Sequence, residues 1–134
     1  MAHGRQGPGR FRELRVPFAE AVARLPEALK QEGFGVITEV DVRETLAAKL
    51  GVEFRPYRIF GACNPGYAHA ALEHDLHVGV LLPCNVVLYE GDNKLAVAGV
   101  IDPMASLGAH DPELREVARA VAQKLDRVLD QLAA

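Results

Sequence analysis

Apolar side chains recur along the chain in two rhythms, and the changes between them mark out its secondary structure. Phe11-Arg-Glu-Leu-Arg-Val16 alternates loosely, as an edge strand does. Pro17 then opens a helical rhythm in which Phe18, Val22, Leu25 and Leu29 fall on one face. Pro26 lies inside that helix with no N–H to give the carbonyl of Val22, which predicts a kink. Gly33 ends the helix, and Gly35 to Val40 reads as a strand. Asp41 is the strongest N-cap candidate, with Glu44 three residues on completing a capping-box pattern. Val42, Leu46, Ala47 and Leu50 supply the buried stripe expected of the short helix it opens, and Gly51 its stop.

Tyr57 to Cys63 reads as a further strand, and Asn64-Pro65 as an N-cap with proline at the first helical position. A short helix is expected over Tyr67 to Glu73. Val78 to Tyr89 is almost continuously apolar, with Pro83 suggesting a bulge or an edge position. Gly91-Asp92-Asn93 turns the chain, and Lys94 to Ile101 returns as the second arm of a hairpin. Asp111 with Pro112 caps the last helix, where Leu114, Ala118, Val121, Leu125, Val128 and Leu132 predict a long amphipathic element.

The hairpin is apolar on both faces. Val86 and Leu88 point one way, Val87 and Tyr89 the other, and the returning arm repeats the pattern. Helices of the same chain can cover one face, and a second subunit is the simplest cover for the other, which points to a homodimer.

Composition narrows the function. A chain of 134 residues, 49% apolar, fits one domain with a real core. Residues 1–10 are polar and glycine-rich and read as a disordered tail, leaving 11–134 as a single domain. The net charge of −3 and the lack of a basic stripe argue against nucleic acid as a ligand. No apolar run approaches the ~20 residues that span a bilayer, and no export signal is seen, so the cytoplasm is the expected location. Ser106 is the single serine and lacks a nucleophile-elbow setting, which excludes serine-nucleophile enzymes.

Two segments carry suggestive chemistry, Phe54 to Pro65 and Leu81 to Glu90, each with a Cys-Asn pair in apolar strand sequence: Cys63-Asn64 and Cys84-Asn85. Together with Gly33-Phe-Gly-Val-Ile-Thr-Glu-Val-Asp41 and Val100-Ile-Asp-Pro103, they closely resemble the bacterial and archaeal family catalogued as domain of unknown function 302. The resemblance runs from about Val16 to Leu132. It implies an α+β fold of the TATA-binding-protein-like group, with helices on a curved antiparallel sheet and a tendency to dimerise. It implies no settled activity. The longer glycine-rich start and Pro26 depart from the family pattern.

On the residues themselves, Cys63 precedes a helix start, where the dipole favours a thiolate. Arg55, Arg58, Asn64 and Asn85 are the candidate partners of a small anionic ligand or metabolite. Against these stand plainer readings: buried structural cysteines and solvated arginines. His69, His74, His77 and His110 form no recognisable metal set and are expected on the surface, and no cofactor is indicated. Two classes of function stay open. One is a small dimeric binding module; the other is a thiol-dependent enzyme or redox carrier using Cys63 with Cys84.

Overall fold

The computed structural model describes residues 5–6 and 8–134. Its elements run β1 (Arg5–Gln6), β2 (Gly9–Glu13), α1 (Phe18–Gln31), β3 (Gly35–Asp41), α2 (Val42–Leu50), β4 (Tyr57–Cys63) and α3 (Pro65–His74). A 3₁₀ helix (Leu76–Leu81) follows, then β5 (Cys84–Glu90), β6 (Ala96–Ile101), α4 (Leu107–His110), a 3₁₀ turn (Pro112–Leu114) and α5 (Arg115–Ala133). Phe11, the expected start of order, sits inside β2. The part of the proposed tail at residues 1–4 and 7 lies outside the described residues.

All strands join one antiparallel sheet in the order β1-β2-β6-β5-β4-β3. The α+β class holds, but the curved sheet expected from the resemblance does not. The sheet is open, with β1 and β3 at its edges, and is neither closed nor strongly curled.

Register sorts its side chains into rows. Phe60, Val86 and Val100 are cross-strand neighbours, as are Leu88 and Ala98, and all five are buried. They meet Leu25 and Leu29 of α1 and Leu125, Val128 and Leu132 of α5 in one core cluster. Fully burying each such Leu or Val contributes about 1.5–3 kcal/mol, so this face dominates the stability of the fold. At the β2 flank, arginines take over from apolar residues. Arg10 reaches Asp126 and Arg12 reaches Asp130, each at 2.6 Å, so β2 is tied to successive turns of α5.

Several local expectations change. α1 continues as one helix from Phe18 to Gln31 with Pro26 inside it. The start of the Val78–Tyr89 stretch is 3₁₀ helix instead of strand, because Pro83 has no N–H for a ladder and β5 begins only after it. Asp111 caps the short turn before α5, accepting from the Glu113 N–H at 2.9 Å. The stripe expected of α2 is not buried: no residue of α2 is, and Leu50 is 68% exposed. The helix follows the edge strand β3, which is itself exposed along almost its whole length.

Asp41 does cap α2, accepting the Glu44 N–H at 3.0 Å. Because α2 has no fully buried residue, its opening is expected to be decoupled from global unfolding. Asp41→Ala is therefore expected to weaken α2 by about 1 kcal/mol. Amide exchange at residues 46–49 should quicken roughly fivefold while the denaturant midpoint barely moves. An equal loss in both measurements would show that α2 is part of the cooperative core.

Candidate functional site

Beyond the ends of α1 and α5 the covered side of the sheet is not filled. Ala62 and Cys84 are cross-strand partners at the end of β4 and the start of β5, and both are small. α3 arches over them, presenting Ala68 and Ala71. Between floor and roof lies a half-open cavity of about 290 Å³. Its wall is completed by Leu81 and Leu82 before β5, Leu107 of α4 and Val121 of α5. The lining is overwhelmingly apolar, with Cys63, Asn64, Tyr67, Cys84 and Ser106 as its polar or polarisable members.

The geometry of the floor depends on Gly61. A Cβ there would come within 2.1 Å of Thr38 Oγ1 and 2.7 Å of Pro83 Cγ, so only glycine lets β3 and the entry to β5 close on this part of β4. The α3 end is fixed by Asn64. It occupies the N-cap position, with Pro65 following, but its side chain makes no capping bond. Instead Asn64 Nδ2 donates to the Glu32 carbonyl at 3.1 Å, tying the start of α3 to the end of α1. Gly33, at φ +87°, brings the chain round against that amide, where a Cβ would lie 3.1 Å from Nδ2. The sequence signal for this tie is the pair Glu32-Gly33 and Asn64, which no local motif connects.

Of the six candidate residues, the structure brings three together: Cys63, Asn64 and Cys84 line the cavity. Asn85 is exposed and pairs with Gly61, on the alternate side of β5 from Cys84. Arg58 is five steps down β4 from Cys63, roughly 16 Å away at ~3.3 Å per residue. It is bonded to Glu39 at 2.7 Å and lies 3.7 Å from Asp41. Arg55 bonds the Glu90 carbonyl at 3.0 Å and lies 3.1 Å from Asp92. The anion cradle of Arg55, Arg58 and the α3 start is thus not assembled; both guanidinium groups already have carboxylate partners.

Both thiols are free and half-buried. Burial, with a smaller contribution from the neighbouring Cys63, pushes the Cys84 thiol up to about 11. At neutral pH Cys84 is therefore a protonated, weakly nucleophilic group. Among the described residues, no cluster of three or more His, Cys, Asp and Glu side chains is arranged to hold a metal ion. Among the described residues no helix is long and apolar enough to cross a membrane.

One test follows from the Cys84 environment. In a Cys63→Ala variant, alkylation of Cys84 should be slow near pH 8 and rise about tenfold per pH unit until the pH nears 11, as the thiolate fraction does. Folding holds that proton, so stability should fall as the pH climbs from 9.0 towards 11. Mass spectrometry reads the labelling, and a rate already half-maximal at pH 9.0 would show that the thiol is not shielded.

Comparison with known proteins agrees with this architecture. Residues 12–132 match the family described as "Domain of unknown function DUF302". The crystal structure of an uncharacterised conserved DUF302 protein from Bacillus stearothermophilus is 34% identical and superposes with a TM-score of 0.86, covering 95% of this chain and 99% of that one. No curated protein matches. With nearly the whole chain matched in both sequence and fold, the protein belongs to the DUF302 family.

Proposed function

We propose that this protein is a small binding module that holds a compact, mainly apolar small molecule in the cavity between α3 and the β4–β5 end of the sheet. The observation that carries the reading is the cavity itself, about 290 Å³ lined by Ala, Leu, Val and Pro side chains with a few polar atoms at Cys63, Asn64 and Ser106. Ligand sites are characteristically concave and apolar, with a small number of placed polar groups. The balance of lining favours an uncharged ligand over the anion that the arginines suggested. The thiol-chemistry reading loses support from Cys84, whose proton burial retains. Two free thiols accord with a reducing, cytoplasmic setting.

The module acts as a homodimer in this reading. Val40, Ile59, Val87, Gly99 and Phe11 form one cross-strand row on the sheet face opposite α1 and α5. Tyr57 and Tyr89 stack beside it, with ring centroids 5.4 Å apart. Val40, Ile59, Val87, Tyr57, Tyr89 and Phe11 join neither core cluster. Leu50, Val52 and Phe54 add further exposed apolar surface. Patches of this kind on a soluble chain mark interfaces, and a second copy, carrying the same self-complementary row, is the economical cover.

Two measurements test the proposal. The uncharged dye N-phenyl-1-naphthylamine should bind with a fluorescence rise, and Ala68→Phe, which places a ring inside the cavity, should weaken it by at least about tenfold. Binding untouched by that substitution would put the ligand elsewhere. Light scattering should give twice the chain mass, and Val87→Glu should reduce it to one, since a carboxylate in the centre of the row cannot be desolvated unpaired. A monomeric native chain would remove the dimer.

A further inference from the structure

Two His-Asp dipeptides, distant in sequence, meet at the side of the cavity. His74 closes α3 and Asp75 follows it; His110 closes α4 and Asp111 follows it. Their pairing is crossed. His74 Nε2 lies 2.8 Å from Asp111 Oδ2, and His110 Nε2 lies 3.0 Å from Asp75 Oδ2. The other oxygen of each carboxylate is held by its own chain. Asp75 Oδ1 accepts the His77 N–H and Asp111 Oδ1 accepts the Glu113 N–H, both at 2.9 Å. Each carboxylate is thereby oriented by a local turn and presents one free edge to the imidazole of the opposite segment.

The segments so joined are the walls of the cavity. α3 and the 3₁₀ helix carry Ala68, Ala71 and Leu81, while α4 and α5 carry Leu107, Val117 and Val121. Beneath the crossed pairs these segments share a second, smaller core of Ala71, Val78, Leu107, Leu114 and Ala118, with Leu72, Leu81, Leu82, Met104 and Val117 packed against it. A core smaller than the main one plus two histidine–carboxylate pairs therefore hold this wall in place, which makes it the less stable part of the covered face.

We propose that the crossed His74–Asp111 and His110–Asp75 pairs form a pH-operated latch that holds α3 and the 3₁₀ helix against α4 and α5 and sets how fast the cavity exchanges its contents. The inference rests on the binding reading of the cavity given above.

The charges around the latch give its direction. His74 faces Asp111, Glu113 at 3.5 Å and Asp75, and the bond to Asp111 is the main reason its imidazole is held above 6.5. Asp75 also has His77 at 3.9 Å, and it is held below 3.8 chiefly by the bond from His110. Asp111 is held below 3.8 chiefly by the Glu113 N–H and then by His74. A raised imidazole contributes fully below 6.5 and is lost as the pH rises through its folded value. The lowered carboxylates contribute above 3.8 and are lost as the pH falls through theirs. The His74–Asp111 pair is thus charged between 3.8 and 6.5 and loosens on the alkaline side.

Dissociation of N-phenyl-1-naphthylamine from the full chain, followed by stopped flow, should be roughly three- to fivefold faster at about pH 8.5 than at about pH 6, the scale two half-exposed ion pairs allow. The His74→Gln/His110→Gln variant should show the fast rate at both pH values. A second measurement needs no ligand: in NMR titrations the methyl resonances of Leu81 and Leu107 should move with the His74 imidazole. Asp111→Asn, which keeps the capping oxygen but removes the charge, should uncouple them. A dissociation rate insensitive to pH in the native chain, or methyls that ignore the His74 titration, would overturn the latch. Failure of the dye to bind at all would instead count against the binding reading, and the NMR titration alone would then decide the latch.

Discussion

Leu25 and Leu29 from one helix and Leu125, Val128 and Leu132 from another converge on Phe60, Val86, Leu88, Ala98 and Val100 of three adjacent strands, and every other feature takes its position from that contact. Because strand side chains alternate, fixing these residues inward fixes their neighbours outward: Ile59, Val87 and Tyr89 have no choice but the opposite face. A one-residue slip of β5 would exchange Val86 and Leu88 for Val87 and Asn85. The register is therefore held by burial, and the face it turns outward is apolar as well. The same contact leaves β3 as the last strand, exposed along almost its whole length, and leaves α2 following that strand with nothing buried. In a monomer this is the least defended margin of the sheet.

The site arises where this packing stops. α1 and α5 cover the sheet with Leu, Val and Ala, but the ends of β4 and β5 run on beneath α3, where Ala62 and Cys84 face Ala68 and Ala71. Ile101 and Val121 belong to both the margin of the main core and the cavity wall, so the cavity is an extension of the core that lacks its large side chains. The polar lining is correspondingly sparse. It suits orienting a ligand better than transforming one, and the thiol best placed to act with Cys63 is held protonated by the burial that makes the site apolar.

Periodicity made the two main helices legible, since Leu25, Leu29, Leu125 and Val128 repeat at helical spacing and are buried as that spacing requires. It failed for α2, where Val42, Leu46 and Leu50 have the same rhythm but a location at the sheet edge leaves Val42 and Leu46 half-buried and Leu50 exposed; sequence shows which residues share a face, never how fully anything covers it. It failed also at the start of the Val78 to Tyr89 stretch, read as a hairpin arm, where residues up to Leu81 belong to a 3₁₀ helix with Val80 89% exposed. The paired Cys-Asn segments did mark the cavity, because Cys63, Asn64 and Cys84 sit where two paired strands meet a helix. Arg55 and Arg58 misled because nearness in sequence along an extended strand is distance in space. The histidines were the largest omission. His74 and His110 are indeed near the surface, but their partners are 37 and 35 residues away, a separation that no local motif registers.

Small residues on both floor and roof are a cost that the rest of the fold does not show. At ~24 cal/mol per Å³, a dry void of about 290 Å³ would forfeit roughly 7 kcal/mol, comparable with the whole stability of many domains. The half-open mouth reduces that figure by admitting solvent, yet Leu in place of Ala68 or Ala71 would fill the space with ordinary core. Nor is the chain free to collapse onto the gap. Asn64 pins the start of α3 to the Glu32 carbonyl, and the crossed histidine pairs pin its end to α4 and the entry to α5. Gly61 leaves no room for a side chain against Thr38 and Pro83, which fixes how β3 and the entry to β5 lie against β4. Polar ties thus fix both ends of α3, while the lining of the cavity stays apolar. That division of labour supports the proposed binding of a mainly apolar molecule, since a helix packed for stability alone would fill the space beneath it.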